Sequence, residues 1–359
     1  LLHTGVYMES AKKRVFILDA NALLHRAWHA LPPLTNPKGQ VVNAVYGMMM
    51  VVMKLLENEK PDALVACWDT EAATFRHEAY KEYKAHREEQ PDELYAQIPW
   101  IQEGLATLGV DSLELDGYEA DDLLGTIAVQ MRERGWEVVI VTGDRDALQL
   151  VRPGISVMAF KKGVTDTIIY DEEEVKRQYG LTPAQFLEYK IMRGDPSDNI
   201  PGVKGIGEKG ATELLQKYGD LQGIFMAAHD LTSDMSKGTR EKLLNAEGEI
   251  PAIRSLVTIV TNVPIKWTPG EGGANEEALK SFLREMGFKS LMRHATRNTQ
   301  HVSSESDQTK MSQRKKDQED NSRSIQLAKL SSKKEVLEIL KELRQEKELI
   351  VYVARGVQG

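Results

Sequence analysis

The chain has 359 residues and a formal net charge of −8, more length than one small core uses, which points to about two domains. Its single cysteine, Cys67, excludes a disulfide framework and a cysteine-based zinc site. The acidic balance argues against a broadly basic nucleic-acid-binding surface but leaves room for a local one, and the longest apolar run, residues 44–53, is far short of the roughly 20 residues of a membrane span.

Residues 1–11 are expected to be a disordered extension, of which 1–7 precede the natural start, with Met8 the first methionine and no secretory signal. Val15-Phe16-Ile17-Leu18-Asp19 predicts a buried strand that ends in an acid. A continuous apolar run without alternation suits a parallel sheet covered on both faces. Residues 44–56 predict a Met-rich core helix. Residues 63–69 predict a second strand, ending at Asp69.

The segment 71–90 mixes aromatic and cationic side chains: Phe75, Arg76, Tyr80, Tyr83, Lys84 and Arg87. On one helix, Arg76, Tyr80, Tyr83 or Lys84, and Arg87 share a face, with Glu78, Glu82 and Glu89 opposite. That face suits a single nucleic-acid strand, whose bases stack and whose phosphates pair with cations. A solvated helix with internal ion pairs has the same spacing. Residues 98–108 predict a covering helix.

Gly117-Tyr118-Glu119-Ala120-Asp121-Asp122 then opens another helix with three carboxylates in four residues. Acids suit a helix start, but three so close resist joint ionisation unless a cation joins them. Hard cations such as Mg²⁺ take oxygen ligands. A solvated acidic helix start is the alternative. Residues 138–144 predict a third strand ending at Asp144, with Asp146 just beyond. Ligands of open α/β sheets bind beyond the carboxyl ends of the strands, so Asp19, Asp69 and Asp144 are expected to converge there with the acids of the 119 helix.

A hairpin is predicted over 155–160 and 165–170, turning at 161–163. Helical patterns at 186–192 and 209–218 flank Gly202-Val203-Lys204-Gly205-Ile206-Gly207. This glycine turn suits phosphate contact through backbone amides, or is only a tight turn between helices. Asp195 and Asp198 precede it. Residues 220–290 read as helices closing a mostly α domain. From 293 to about 324 apolar periodicity is lost, as in a linker. Residues 332–343 and 349–353 predict a helix and a strand that begin a further, truncated domain.

From about residue 12 to 291 the chain resembles the 5′-nuclease domain of bacterial DNA polymerase I, in the flap endonuclease family. The matching blocks are Leu18-Asp19-Ala20-Asn21, Trp68-Asp69, Gly117 to Asp122, Thr142-Gly143-Asp144-Arg145-Asp146 and Gly194-Asp195-Pro196-Ser197-Asp198-Asn199. The resemblance implies a PIN-like (resolvase-like) α/β nuclease domain at 12–175 with a helical arch at about 71–95. A helical helix–hairpin–helix (H3TH) subdomain follows at 176–291, a disordered linker at 292–324, and the start of a 3′–5′ exonuclease-like domain at 325–359. There Val353-Ala354-Arg355 stands where an active version carries Asp-x-Glu.

The resemblance also implies two divalent cations, Mg²⁺ or Mn²⁺. Their ligands, direct or through water, would be Asp19, Asp69, Glu119, Asp121, Asp144, Asp146, Asp195 and Asp198, with Asp122 in the same cluster. Lys84 and Arg76 would neutralise charge at the reacting phosphate, beside Asp19 and Asp121. DNA would meet Arg76, Tyr80, Tyr83, Lys84 and Arg87 in the arch, and Gly202, Lys204, Gly205, Gly207 and Lys209 at the turn, where K⁺ often binds. The expected activity is 5′–3′ exonuclease and flap cleavage of DNA at flaps, nicks, gaps and RNA primers, by a monomer in the bacterial cytoplasm. A PIN-like single-strand ribonuclease and a metal-dead DNA-binding module are the alternatives.

Overall fold

Strand β1 (Arg14–Asp19) is apolar on both sides because both its faces are covered. Val15 and Ile17 face one layer, Phe16 and Leu18 the other, and all four are fully buried. Burying one such side chain is worth about 1.5–3 kcal/mol. The computed structural model describes residues 12–293 apart from 88–89, 163–165 and 271–272. Within it β1 is joined by β2 (Ala63–Cys67), β3 (Asp111–Leu113), β4 (Glu137–Thr142), β5 (Ile155–Lys162) and β6 (Asp166–Tyr170). The order is β3-β2-β1-β4-β5-β6, parallel except for β6 against β5.

The chain runs outward from β1 to β2 and β3, then returns to the far side of β1 to lay down β4. The order therefore reverses between β1 and β4, and the carboxyl ends of these strands flank a topological switch point. Asp19 ends β1; Asp69 and Asp144 lie two residues beyond β2 and β4.

One face of the sheet is covered by the helices Ala20–Ala30, Asn43–Asn58 and Ile98–Thr107. Met48 and Met49 are wholly buried there, as a core helix requires. The other face takes the helix Ala120–Glu133 and, continuous with it, the helical region from Glu172 to Val257. No helix among the described residues is long and apolar enough to cross a membrane.

Two expectations are corrected. Residues 220–290 do not all close the helical region. After the helix Ile250–Val257 the described residues hold no helix until Glu276, and the chain runs along the helix Ala120–Glu133. There Val263 N donates to Thr126 Oγ1 (3.1 Å) and Gln130 Nε2 to Ile265 O (2.8 Å). The helix Glu276–Glu285 then packs on Ile98–Thr107, across the sheet, through Leu279, Phe282 and Leu283.

Nor is the arch segment one helix. Among the described residues from 71 to 90 only Phe75–Ala79 is helical; Tyr80 is extended, residues 81–86 form turns, with Lys84 at φ +56°, and a second short helix, Asp92–Tyr95, follows Pro91. Tertiary bonds override the helical pattern: Lys84 N donates to Asp198 O (3.0 Å) and Asn199 Nδ2 to Glu82 O (2.8 Å). The expectations for 1–11, for the 163–165 part of the hairpin turn, and for nearly all of the linker and the 325–359 domain lie outside the described residues.

Candidate metal centre

Asp19 caps the helix that follows it. Its Oδ1 accepts Ala22 N (2.9 Å) and its Oδ2 accepts Thr142 Oγ1 (2.5 Å). Thr142 Oγ1 in turn accepts Asp144 N (2.8 Å), so one hydroxyl ties the ends of β1 and β4 together. Asp69 is oriented from both sides: its amide donates to Asn21 Oδ1 (3.0 Å), and its Oδ1 accepts Ala120 N (2.7 Å) at the acid helix start. Glu119 is the N-cap of that helix, in extended backbone. Asp19, Asp69, Glu119, Asp121 and Asp144 thereby line one recess, with Asn21, His25, Lys84 and Arg87.

The electrostatics of the recess are those of crowded like charges. Burial, with the neighbouring Asp69 and Asp144 charges, pushes the Asp19 carboxyl up to about 7 despite its two hydrogen bonds. Burial and four surrounding aspartates hold Asp121 well above the carboxylate range. Burial and Asp144 push Asp146 up to about 7 against the pull of Lys190. Such a cluster is neutral when protonated, and a bound cation would let its carboxyls ionise together.

A second group lies alongside. Asp146 opens a short 3₁₀ turn, and its amide donates to Asp144 Oδ1 (2.8 Å). Asp195 sits in a two-stranded ribbon, Gly194–Asp195 with Ile200–Pro201. Its Oδ2 accepts Lys190 Nζ (2.6 Å), and its Oδ1 accepts Ser197 N (3.0 Å) and Oγ (2.5 Å). Burial alone would raise Asp195, yet Lys190 and Ser197 hold it at about 2. Lys190 also pairs with Asp146. Asp198 accepts Arg87 Nη2 (2.6 Å) and, more weakly, Tyr83 Oη (3.3 Å).

Among the described residues, no group of three or more acid, histidine or cysteine side chains forms a ready metal cage. Protein cations meet several of the acids instead. Glu119 Oε1 accepts Lys84 Nζ (2.7 Å) and its Oε2 accepts Tyr83 Oη (2.9 Å). The donor set is nonetheless all oxygen, and Asp19, Asp121 and Asp146 are raised by burial and by neighbouring acids. Both properties fit hard divalent ions.

Three of the expected site residues, Asp122, Arg76 and Tyr83, are held inside the protein. Asp122 is fully buried and both its oxygens are taken. Oδ2 accepts Arg76 Nη1 (2.7 Å) and Glu119 N (3.2 Å); Oδ1 accepts Arg76 Nη2 (2.8 Å) and Val260 N (2.8 Å). In this structure it anchors the arch to the acid helix and does not line the recess. Arg76 is 3% exposed; its Nε and Nη2 donate to the carbonyls of Leu256 and Thr258 (both 2.9 Å). Four of its five N–H groups are thus bonded inside the protein, and Nη1 also stands 3.5 Å from Glu119 Oε2, so in this structure it is a buried anchor. Tyr83 is buried with its ring edge-on to His77, so it presents no face for a base to stack on. Gly202 packs against Arg193 and Gly194 so closely that a side chain on it would run into their backbone.

Tyr80 is half-buried against the core. Lys204, Gly205, Gly207 and Lys209 are exposed on the turn and the following helix, Glu208–Tyr218. Gly205 has φ +82°, which favours glycine, and its carbonyl accepts Lys242 Nζ (2.9 Å). Sequence reasoning missed Lys242, Lys190, Thr142 and Ser197. Lys190 alone carried a signal: it stands four residues after buried Phe186, on the inward side of its helix.

Comparison with known proteins agrees with this architecture. Residues 14–180 match the family model for the N-terminal resolvase-like domain of 5′–3′ exonucleases, and residues 181–279 that for the C-terminal SAM fold of the same enzymes. The DNA polymerase I of Bacillus subtilis strain 168 is 39% identical over 284 residues, covering 78% of this chain and 32% of that protein. That of Mycobacterium tuberculosis H37Rv is 39% identical over 263 residues, covering 73% and 29%. The chain thus spans about a third of the length of these relatives. Among solved structures, T5 5′-exonuclease with bound divalent zinc has a TM-score of 0.56 at 19% identity, covering 76% of this chain and all of the other. The catalytic core of Rad2 bound to DNA substrate has a TM-score of 0.52 at 18% identity, covering 77% and 88%. These two likenesses establish the fold. The two family models lie end to end over the sheet with its acid edge and the helical region beside it, and the chain belongs to the 5′–3′ exonuclease family.

Proposed function

We propose that the chain hydrolyses DNA phosphodiester bonds near 5′ ends, at flaps, nicks, gaps and RNA primers, as a monomer in the bacterial cytoplasm. The observation that carries this reading is the convergence of Asp19, Asp69, Glu119, Asp121 and Asp144 at the switch point of the sheet, with Asp19 and Asp121 raised by burial and by their neighbours. These five would hold one Mg²⁺ or Mn²⁺; Asp144, Asp146, Asp195 and Asp198 would hold a second. Bound there, a pair of such ions supplies hydroxide near neutral pH and offsets charge on the attacking and leaving oxygens.

The chain's own residues do the rest. Thr142 and Ala22 orient Asp19, Asn21 and Ala120 orient Asp69, and Ser197 orients Asp195. Lys84 and Arg87 line the recess with their charged ends on Glu119 and Asp198. Both are placed to transfer to an incoming phosphate once those acids are otherwise neutralised. The exposed turn at Lys204–Gly207, with Lys209 and Lys242 near it, would take the duplex backbone, with K⁺ at the turn carbonyls.

The test is cleavage of a labelled 5′-flap duplex, a nicked duplex and a linear single-stranded RNA, with Mg²⁺, with Ca²⁺ and with EDTA. Flap and nick cutting that needs Mg²⁺ or Mn²⁺ is the expected outcome. Full activity in EDTA, or a preference for linear RNA, would sink the reading. Binding without cutting under every condition would leave a metal-dead DNA-binding module.

A further inference from the structure

Lys190 is a cation where few cations go. It stands in the last turn of the helix Pro183–Arg193, and its side chain is 5% exposed. A buried ammonium persists only when it is paired. Its partners are Asp146 and Asp195, two acids of the second group.

The two groups differ in how they are neutralised. Among the described residues Asp19, Asp69, Asp121 and Asp144 form no ion pair, and in the first group only Glu119 meets cations, Lys84 and, from 3.5 Å, Arg76. In the second group Asp146 and Asp195 share Lys190, and Asp198 holds Arg87. Asp195 has no oxygen to spare: Oδ2 is on Lys190 and Oδ1 accepts twice from Ser197. A divalent ion bonded to that Oδ2 would sit within a few ångströms of the ammonium, a contact of like charges that a buried site does not tolerate.

We propose that Lys190 is a tethered counter-ion which holds the second acid pair in the metal-free protein and must leave it before a divalent cation is bound there. It acts as a positioning residue. It keeps Asp146 and Asp195 together without a metal, and it weakens the second metal position by competing for the same oxygens. The inference rests on the metal reading of the acid groups given above.

The experiment is Mn²⁺ binding to the full chain, with free Mn²⁺ read by electron paramagnetic resonance. The proteins are wild type, Lys190→Met, Lys190→Gln and Lys190→Arg, each stripped of metal after purification. Wild type should show a tighter and a weaker class of site. Coupling between linked sites is commonly worth about 5–150-fold, so Lys190→Met and Lys190→Gln should tighten the weaker class by about tenfold or more and leave the tighter class unchanged. Lys190→Arg keeps the charge and should bind at the weaker class no better than wild type. Thermal unfolding gives a second readout: Mn²⁺ should stabilise Lys190→Met more than wild type.

Should Lys190→Met not fold, Lys190→Gln against Lys190→Arg decides the question. A weaker class that is unchanged or loosened in the neutral variants overturns the proposal, and Lys190 is then an ordinary ion pair or a support for the ligands. Wild type that binds no Mn²⁺ overturns the metal reading itself and the inference with it, an outcome seen before any variant is compared.

Discussion

Replacing Arg76 separates a buried anchor from a charge that acts on substrate. The guanidinium makes two bonds to Asp122 (2.7 and 2.8 Å) and two to the carbonyls of Leu256 and Thr258 (2.9 Å each). Arg76→Ala leaves Asp122 with only the amides of Glu119 and Val260, in a place with no access to water. Removing one partner of a buried pair costs about 3–5 kcal/mol. For a folded unit of this size each kcal/mol moves the midpoint by about 2–4 °C, so Tm should fall by about 6–20 °C. The assay is thermal and urea unfolding beside single-turnover flap cleavage well below the variant's Tm. Part of the loss should return in Arg76→Met with Asp122→Asn, where neither charge remains, so that the double variant costs less than the sum of the singles. A Tm within 2 °C of wild type, with cleavage slowed a hundredfold, would refute the anchor and return Arg76 to the chemistry.

Two other outcomes are expected. Lys84→Ala should bind flap DNA nearly as wild type but cut it about 10²–10³-fold more slowly in single turnover, without rescue by added metal, whereas Asp121→Asn should be partly rescued; metal rescue of Lys84→Ala would remove its assigned role. Lys204→Ala should weaken duplex binding and flatten its salt dependence by about one counterion with Tm unchanged. Gly205→Val, a β-branched residue forced to φ +82° with Lys242 at 3.0 Å from its Cβ, should lower both binding and Tm; equal binding by both variants would make the turn purely structural.

What was legible in the sequence is what depends on local pattern. Unalternating apolar runs marked β1, β2 and β4, and the acids at or just after their ends marked the functional edge, because strand direction and sheet burial follow from such runs alone. The arch was misread because its spacing suits a helix, while bonds to Asp198 and Glu82 from distant chain bend it into turns. Asp122 was grouped with its neighbours because a helix start of three acids does not say which one faces inward. Only Val260, 138 positions away, and Arg76 reveal that it does. Lys190 escaped because a lysine near a helix end ordinarily reads as a solvated partner of the helix dipole.

The stretch after Val257 bears on when this enzyme comes into being. Arg76 is completed by the carbonyl of Thr258, 182 positions downstream, and Asp122 by the amide of Val260. Synthesis proceeds at about 5–20 residues per second, so roughly 10–40 s separate the two halves of the clamp. During that interval the strands and their acids already exist as polypeptide, yet the base of the arch and the start of the acid helix lack the bonds that seat them. A nascent chain of the first two hundred residues therefore carries the acids of the recess without the bonds from Leu256, Thr258 and Val260 that seat Arg76 and Asp122.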